Sequence, residues 1–209
     1  MYIYFPSCNF NTLRPETAEK LRVILAQRMP VAGCCRFDEN EYTADQTGLY
    51  LCQACRQVLE SKINLMSIWE YFDADESFQL PDYSGLTVGI QDCWRDREHP
   101  EIHAAVRSLL SKMHVSTEEL EESKEKSVFC GNLHFEPKKA ENIALLAKYP
   151  GKQIFEMPPE VEEALMREQV EKFKSEYILT DCNRCTRGIT TGGGKPVHLL
   201  ELVLGDFKA

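Results

Sequence analysis

The sequence predicts an α/β fold with parallel sheets, built from two repeated halves. Short runs of aromatic and β-branched residues alternate with helical segments, and most of these runs end at a cysteine. The order of strand, helix, strand and CxxC pair occurs twice along the chain. Strands that alternate with helices pair in parallel through right-handed crossovers, so cysteines that follow strands should meet at the carboxyl edge of a sheet.

The first predicted domain covers residues 1–80 and contains five cysteines. Proline marks both ends of its main helix, because proline fits the first helical turn and breaks a helix interior. In order, the predicted elements are a strand at 2–7 before Cys8, a helix from Pro15 that stops at Pro30, a short strand at 31–33 before Cys34 and Cys35, a strand at 49–51 before Cys52 and Cys55, and an apolar segment at 65–72.

The second predicted domain covers residues 81–209 and follows an acidic, aperiodic linker at 73–84. It repeats the order of the first and adds helices in the middle. It begins with a strand at 86–91 before Cys93, a helix from Pro100, and a solvated helix to Lys126 that starts at a Ser116 and Glu119 capping box. A run at 127–129 precedes Cys130, and helices at 137–148 and 159–175 follow, with a strand at 153–155 between them. The last predicted elements are a strand before Cys182 and Cys185 and an apolar segment at 197–204.

Charge and hydropathy exclude two classes of function. The chain has 209 residues, a net charge of -9 and no basic run, which argues against a nucleic-acid surface. The first residues lack the basic and apolar regions of a signal peptide, and no later apolar run approaches the length that spans a membrane. We therefore expect a cytoplasmic protein without direct membrane insertion.

The nine cysteines point to metal or redox chemistry. An odd number cannot be consumed by internal disulfides, and in a reducing compartment such a set is typical of metal or redox sites. Two thiolates in a CxxC pair can face one metal centre or each other. Buried structural thiols are the alternative, since free cysteine packs like a small hydrophobic residue. His198 is interpreted as a hydrogen-bonded core residue, and the other histidines as surface residues: His99, His103, His114 and His134.

The cysteine series, with the ending from Lys195 to Leu202, resembles a known family over nearly the whole chain. A single cysteine, an adjacent pair and a CxxC, present twice, resemble the cysteine-rich CCG domain found in heterodisulfide reductase. Related members are iron–sulfur subunits of glycolate, lactate, glycerol-phosphate and quinone-linked oxidation systems. The resemblance implies two Rossmann-like halves and iron–sulfur clusters bound by the cysteines. In the best-studied members these are non-cubane [4Fe-4S] clusters that cleave a disulfide.

The resemblance assigns ligands to two sites. The first set fills all five positions of the motif: Cys8, Cys34, Cys35, Cys52 and Cys55. It departs from the motif at Arg36, where glycine normally follows the pair. The second set has four thiols, because Phe129 stands where the first cysteine of the pair would be: Cys93, Cys130, Cys182 and Cys185. Five thiolates suit a [4Fe-4S] cluster of open geometry, whereas four suit a cubane [4Fe-4S] cluster or a zinc ion.

The function implied is that of an iron–sulfur oxidoreductase or electron-transfer subunit. A cluster in the first site would pass electrons to a disulfide-like or other small acceptor, and its five cysteines would be catalytic through the cluster. The chain contains no flavin or nicotinamide fingerprint, so a ferredoxin-like or flavoprotein partner should supply the electrons. The alternative is a zinc-binding structural or assembly module without redox turnover.

Overall fold

Two parallel sheets form the centre of the computed structural model, which describes residues 1–208. The first sheet has three strands and the second has four. Six of the seven strands begin inside a predicted strand or apolar segment, or within two residues of one; the strand that begins at Ser116 was not predicted. The strands are β1 (Tyr2–Phe5), β2 (Thr47–Tyr50), β3 (Asn64–Ser67), β4 (Thr87–Gln91), β5 (Ser116–Glu118), β6 (Tyr177–Thr180) and β7 (Lys195–His198).

The two sheets share one strand order, which confirms the predicted repeat of Rossmann-like halves. The second sheet runs β5-β4-β6-β7, all parallel. The first runs β1-β2-β3, and Val31 forms a single parallel bridge to Tyr4 at the other edge of β1. Val31 thus takes the position that β5 takes beside β4. The predicted strand at 31–33 is reduced to this bridge.

Nine α-helices flank the sheets within residues 1–208. They are α1 (Cys8–Leu13), α2 (Pro15–Ala26), α3 (Gln53–Leu59), α4 (Ile68–Ala74), α5 (Pro100–Lys112), α6 (Ala140–Leu146), α7 (Pro159–Val170), α8 (Asn183–Thr191) and α9 (Leu199–Val203). The predicted proline starts of α2, α5 and α7 are confirmed. Helices α3 and α8, which begin inside the two CxxC pairs, were not predicted.

Three predicted features are wrong: the solvated helix to Lys126, its capping box and the strand at 153–155. Residues 116–126 contain β5 and a 3₁₀ turn at Lys124–Lys126 in place of the helix. The Ser116 and Glu119 capping box does not form, because Ser116 lies in β5 and Glu119 accepts hydrogen bonds from the Arg107 guanidinium. Parallel pairing with β4 outweighs the local capping signal here. The predicted strand at 153–155 is a 3₁₀ turn at Ile154–Glu156, in which the Glu156 carboxylate accepts a hydrogen bond from the Gln153 amide at 2.7 Å.

Two hydrophobic clusters organise the packing. The larger contains buried side chains from both predicted domains, and α4 of the first packs against α5 of the second. The smaller surrounds the cysteines of the second half. The strands of the two sheets fall on either side of residue 80, while the division into domains 1–80 and 81–209 stays a prediction. No helix in residues 1–208 combines the length and apolar character needed to cross a membrane.

Candidate metal centres

The fold places the cysteines at the carboxyl edges of the two sheets, as the sequence predicts. Cys8 begins α1, which follows β1, and Cys93 follows β4 after one intervening residue. Cys52 and Cys182 are the N-cap residues of α3 and α8, and one residue separates each of them from the end of β2 or β6. Since all these strands are parallel, each sheet gathers its own set of thiols at one edge.

The four thiols of the second half form a compact buried group. Their Sγ atoms all lie within 4.8 Å of one another, and the Sγ atoms of Cys93 and Cys130 are 3.3 Å apart. Each of the four side chains is at most 5% exposed. Within residues 1–208 this is the one group of histidine, cysteine and acidic side chains with at least three ligand atoms so close together. The group can therefore hold a metal.

Glycine makes this close grouping possible. Gly131 follows Cys130 with a φ of 53°, and a Cβ at Gly131 would lie 1.9 Å from the carbonyl oxygen of Arg184. Arg184 lies inside the second CxxC pair, so the loop that carries Cys130 rests directly on the first turn of α8. Gly188 contributes from the other side, since its Cβ would meet the Cα of Gly131 at 2.5 Å. Any side chain at Gly131 would push Cys130 away from Cys182 and Cys185.

The spacing of these four sulfurs fits one tetrahedral ion. Zinc–thiolate bonds of about 2.3 Å place four thiolates roughly 3.8 Å apart around the ion. A cubane cluster holds each thiolate on a separate iron at its corners, so its thiolates are spread more widely than those on one ion. With all separations within 4.8 Å, the four sulfurs lie close enough together to bind one shared metal ion. Phe129, fully buried against Phe135, stands in the second repeat at the sequence position that Cys34 has in the first.

Burial and mutual hydrogen bonds shift the pKa values of the thiols in the second group in opposite directions. Hydrogen bonds from the thiols of Cys130, Cys185 and Cys93 hold the pKa of Cys182 well below its usual value. Burial raises the pKa of Cys93 and of Cys185. Cysteine binds a metal as the thiolate, so a metal ion in this group would displace protons from the thiols whose pKa is raised.

The five thiols of the first half line an open cavity instead. The cavity has a volume of about 320 Å³, and its other walls are Asn9, Arg36, Phe37 and Ala54. Cys8 is exposed and Cys34 is half-buried, whereas Cys35, Cys52 and Cys55 are buried. The Sγ atoms of Cys8 and Cys34 lie 3.5 Å apart.

Two hydrogen bonds involve the buried Cys52 sulfur of this cavity, and one of them changes the pKa values of Cys52 and Cys55. The Asn9 side-chain amide donates to the Cys52 sulfur at 3.8 Å. A hydrogen bond from the Cys55 thiol lowers the pKa of Cys52 to about 6, and the same bond raises the pKa of Cys55. Cys52 is therefore the residue of this pair that carries a thiolate near neutral pH.

Arg36 explains why the first site is open and the second is closed. It occupies the position of Gly131, but its φ is not positive; among residues 1–208 the non-glycine residues with positive φ are His114 and Lys124. The loop after Cys35 therefore cannot repeat the close approach that Gly131 makes to α8. Its next residue, Phe37, is 84% exposed.

The two sites lie next to each other at the boundary of the repeats. Gln53, inside the first CxxC pair, donates to the Asp96 carboxylate at 2.6 Å, and Arg56 donates to the same carboxylate at 2.5 Å. Asp96 lies three residues after Cys93, and α1, which begins at Cys8, contacts α8. The sequence did not identify Arg56 or Asp96, because the contact joins residues from separate halves.

The histidine predictions have mixed outcomes. His198 is fully buried, packs beside Phe10 and Trp69, and accepts a hydrogen bond from the Leu200 amide through Nδ1. It caps α9 as Ser67 caps α4, which confirms its interpretation as a hydrogen-bonded core residue. The prediction of a surface position is wrong for His103, which is buried on the inner face of α5.

Comparisons with known proteins give little guidance. No family model and no curated protein matches the chain. Among solved structures, an aspartate racemase from Picrophilus torridus is similar with a TM-score of 0.36 and 10% sequence identity, over 99% of this chain and 91% of that one. A similarity at this level supports no conclusion about function.

Proposed function

We propose that this chain is an iron–sulfur oxidoreductase or electron-transfer subunit resembling the CCG-domain component of heterodisulfide reductase, with its reactive centre in the first repeat. One observation carries the proposal: five thiols line a single cavity that opens to solvent at the carboxyl edge of the first sheet. That edge is where open α/β sheets bind their ligands.

The donor set of the cavity fits an iron–sulfur cluster better than one ion. Five thiolates exceed the four that a tetrahedral ion accepts, and within residues 1–208 they do not close into a group as compact as the second one. Cys8, Cys34, Cys35, Cys52 and Cys55 would hold the cluster, which when bound would supply one-electron transfer to a small disulfide-like or other acceptor.

The remaining residues of the cavity have defined roles in this proposal. The exposed side of the cavity, at Cys8 and Cys34, admits the acceptor. Asn9 keeps the Cys52 sulfur oriented through its amide hydrogen bond. A ferredoxin-like or flavoprotein partner in the cytoplasm would deliver the electrons.

The second centre would serve a structural role. Cys93, Cys130, Cys182 and Cys185 are too buried to meet a substrate, and structural metal sites are closed in this way. Their spacing favours one zinc ion over a [4Fe-4S] cluster. The same observation supports the second candidate function, a zinc-bound structural or assembly module without redox turnover.

Metal analysis after anaerobic purification and reconstitution separates these two functions. The proposal expects iron and acid-labile sulfide at one cluster per chain, together with one further metal ion. A protein that holds zinc at both sites and takes up no acid-labile sulfide would refute the redox function and support the structural module.

A further inference from the structure

The first repeat has one thiol more than the second, and this additional thiol lies beside the most exposed one. Cys35 corresponds to Cys130, whereas Cys34 corresponds to Phe129. The Sγ atom of Cys34 lies 3.5 Å from that of Cys8, and both side chains are accessible to solvent. A reagent from solution can therefore reach this pair without any opening of the fold.

From this geometry we infer that Cys8 and Cys34 form a thiol–disulfide exchange site, which small disulfides convert to an internal disulfide when no metal is bound. One thiolate of the pair attacks a sulfur of the small disulfide and releases one small thiolate, which leaves a mixed disulfide on the protein. The second thiol gives its proton to solvent and attacks the protein-bound sulfur, which releases the other small thiolate. Two protein thiols are oxidised and one small disulfide is reduced to two thiols.

The second repeat contains a matched pair that should not react. Cys93 and Cys130 have their sulfurs 3.3 Å apart, closer than Cys8 and Cys34, but the two side chains are only 1% and 0% exposed. The distance between the two Sγ atoms therefore does not distinguish the pairs, whereas their exposure to solvent does. Exchange requires access of the small disulfide to the attacking sulfur.

The disulfide would regulate the site proposed above, and this part of the inference rests on the proposed function. A bond between Cys8 and Cys34 removes two of the five thiolates from the cavity, so cluster binding and disulfide formation exclude each other. Oxidised chain should take up no cluster until a reductant restores the thiols, and loaded chain should be protected from exchange.

Treatment of the full-length, metal-free chain with oxidised glutathione tests the inference. We expect the loss of two of the nine free thiols and a disulfide between tryptic fragments 1–20 and 29–36. Cys8→Ser and Cys34→Ser should each stop at a mixed disulfide with glutathione. Cys35→Ser, altered at the buried neighbour in the same fragment, should still form the internal bond.

Three results would overturn the inference. These are a link that Cys35→Ser abolishes, mixed disulfides in wild type that never resolve, and oxidation of Cys93 with Cys130 at an equal rate in the folded chain. Measurement of iron uptake tests the proposed function separately. If the oxidised chain forms the internal disulfide but the reduced chain binds no iron, the exchange site is supported and the proposed cluster is refuted.

Discussion

Arg56 donates a hydrogen bond from Nη1 to the Asp96 carboxylate at 2.5 Å, and this ion pair connects the two cysteine-rich repeats. The side chains are 9% and 1% exposed. Arg56 follows Cys55 directly and also donates to the carbonyl oxygen of Arg95 at 2.6 Å. The pair therefore fixes the first CxxC helix against the turn that follows Cys93.

Removal of one partner of this pair should destabilise the fold strongly. We expect Arg56→Met to reduce the free energy of unfolding by about 3–5 kcal/mol, because it leaves the buried Asp96 carboxylate without its cation. Urea unfolding at neutral pH measures the change. The double variant Arg56→Met with Asp96→Asn should lose less than the sum of the single variants.

An exposed ion pair on α2 is the control for this prediction. Arg22 and Glu19 form a pair at 2.5 Å with about half of each side chain in water. Arg22→Met should leave the unfolding midpoint unchanged, because exposed pairs add little stability. An equal effect of Arg22→Met and Arg56→Met would show that the buried pair does not fix the repeats together.

Gly131→Ala should damage the second metal centre. The new Cβ has to move away from the carbonyl oxygen of Arg184, and alanine also disfavours the positive φ. We expect a destabilisation of about 3 kcal/mol, the sum of strain and overpacking, together with loss of the metal held by the second site. Gly151→Ala is the matched control: Gly151 has a φ of 76° with no atom within 4 Å of its Cβ position. It should cost about 1 kcal/mol and retain both metals.

His198 should make stability depend on pH. Burial lowers the pKa of His198 to about 3, so the unfolded chain binds a proton below its pKa of about 6.5 while the folded chain does not. Stability should therefore fall as the pH decreases from 6.5 towards 3. At pH 5 the loss relative to pH 7.5 is about 2 kcal/mol from this group.

His198→Asn isolates that contribution, since asparagine preserves a capping oxygen for α9. Denaturant unfolding of wild type and variant at pH 7.5 and pH 5 gives the loss of unfolding free energy for each protein. The difference between the two losses is the contribution of His198, because effects common to both proteins cancel. If the variant lost as much stability as wild type between pH 7.5 and pH 5, the buried neutral histidine would not be the cause.

The two metal centres should respond separately to cysteine substitution. Cys35→Ser should change the EPR signal of the first centre and leave the second metal bound, because Cys35 lines the first cavity and does not belong to the second thiol group. Cys130→Ser should release the second metal and leave the EPR signal of the first centre unchanged. Loss of both centres from either substitution would contradict two independent sites.

The sequence predicted those features of the fold that short stretches of residues determine. Pro15 and Pro100 mark the starts of α2 and α5, and strand-like runs place Cys8, Cys52, Cys93 and Cys182 at one edge of each sheet. The repeat itself was visible in the order of the cysteines. These signals are local, so they can be read without knowledge of the tertiary contacts.

Features that depend on contacts between distant residues could not be predicted. Arg56 and Asp96 belong to separate repeats, and nothing in their neighbouring residues indicates that they meet. Helix α3 has only seven residues, too few to show a clear helical period, whereas the nine residues of α8 do have an amphipathic period that the sequence prediction did not use. The sequence does contain a signal for the open first site, because Arg36 stands at the position that Gly131 has in the second repeat. The effect of this difference could be recognised only from the contact between Gly131 and Arg184.

Crystallography of the reconstituted protein, with anomalous scattering at the iron and zinc absorption edges, would identify the metal in each cysteine site. We expect iron density extending over several atoms in the cavity between Cys8, Cys34 and Cys55, and one isolated metal peak at equal distances from Cys93, Cys130, Cys182 and Cys185. A single zinc peak in the first cavity, or an iron cluster confined to the second group, would contradict a cluster site in the first repeat and a single-ion site in the second.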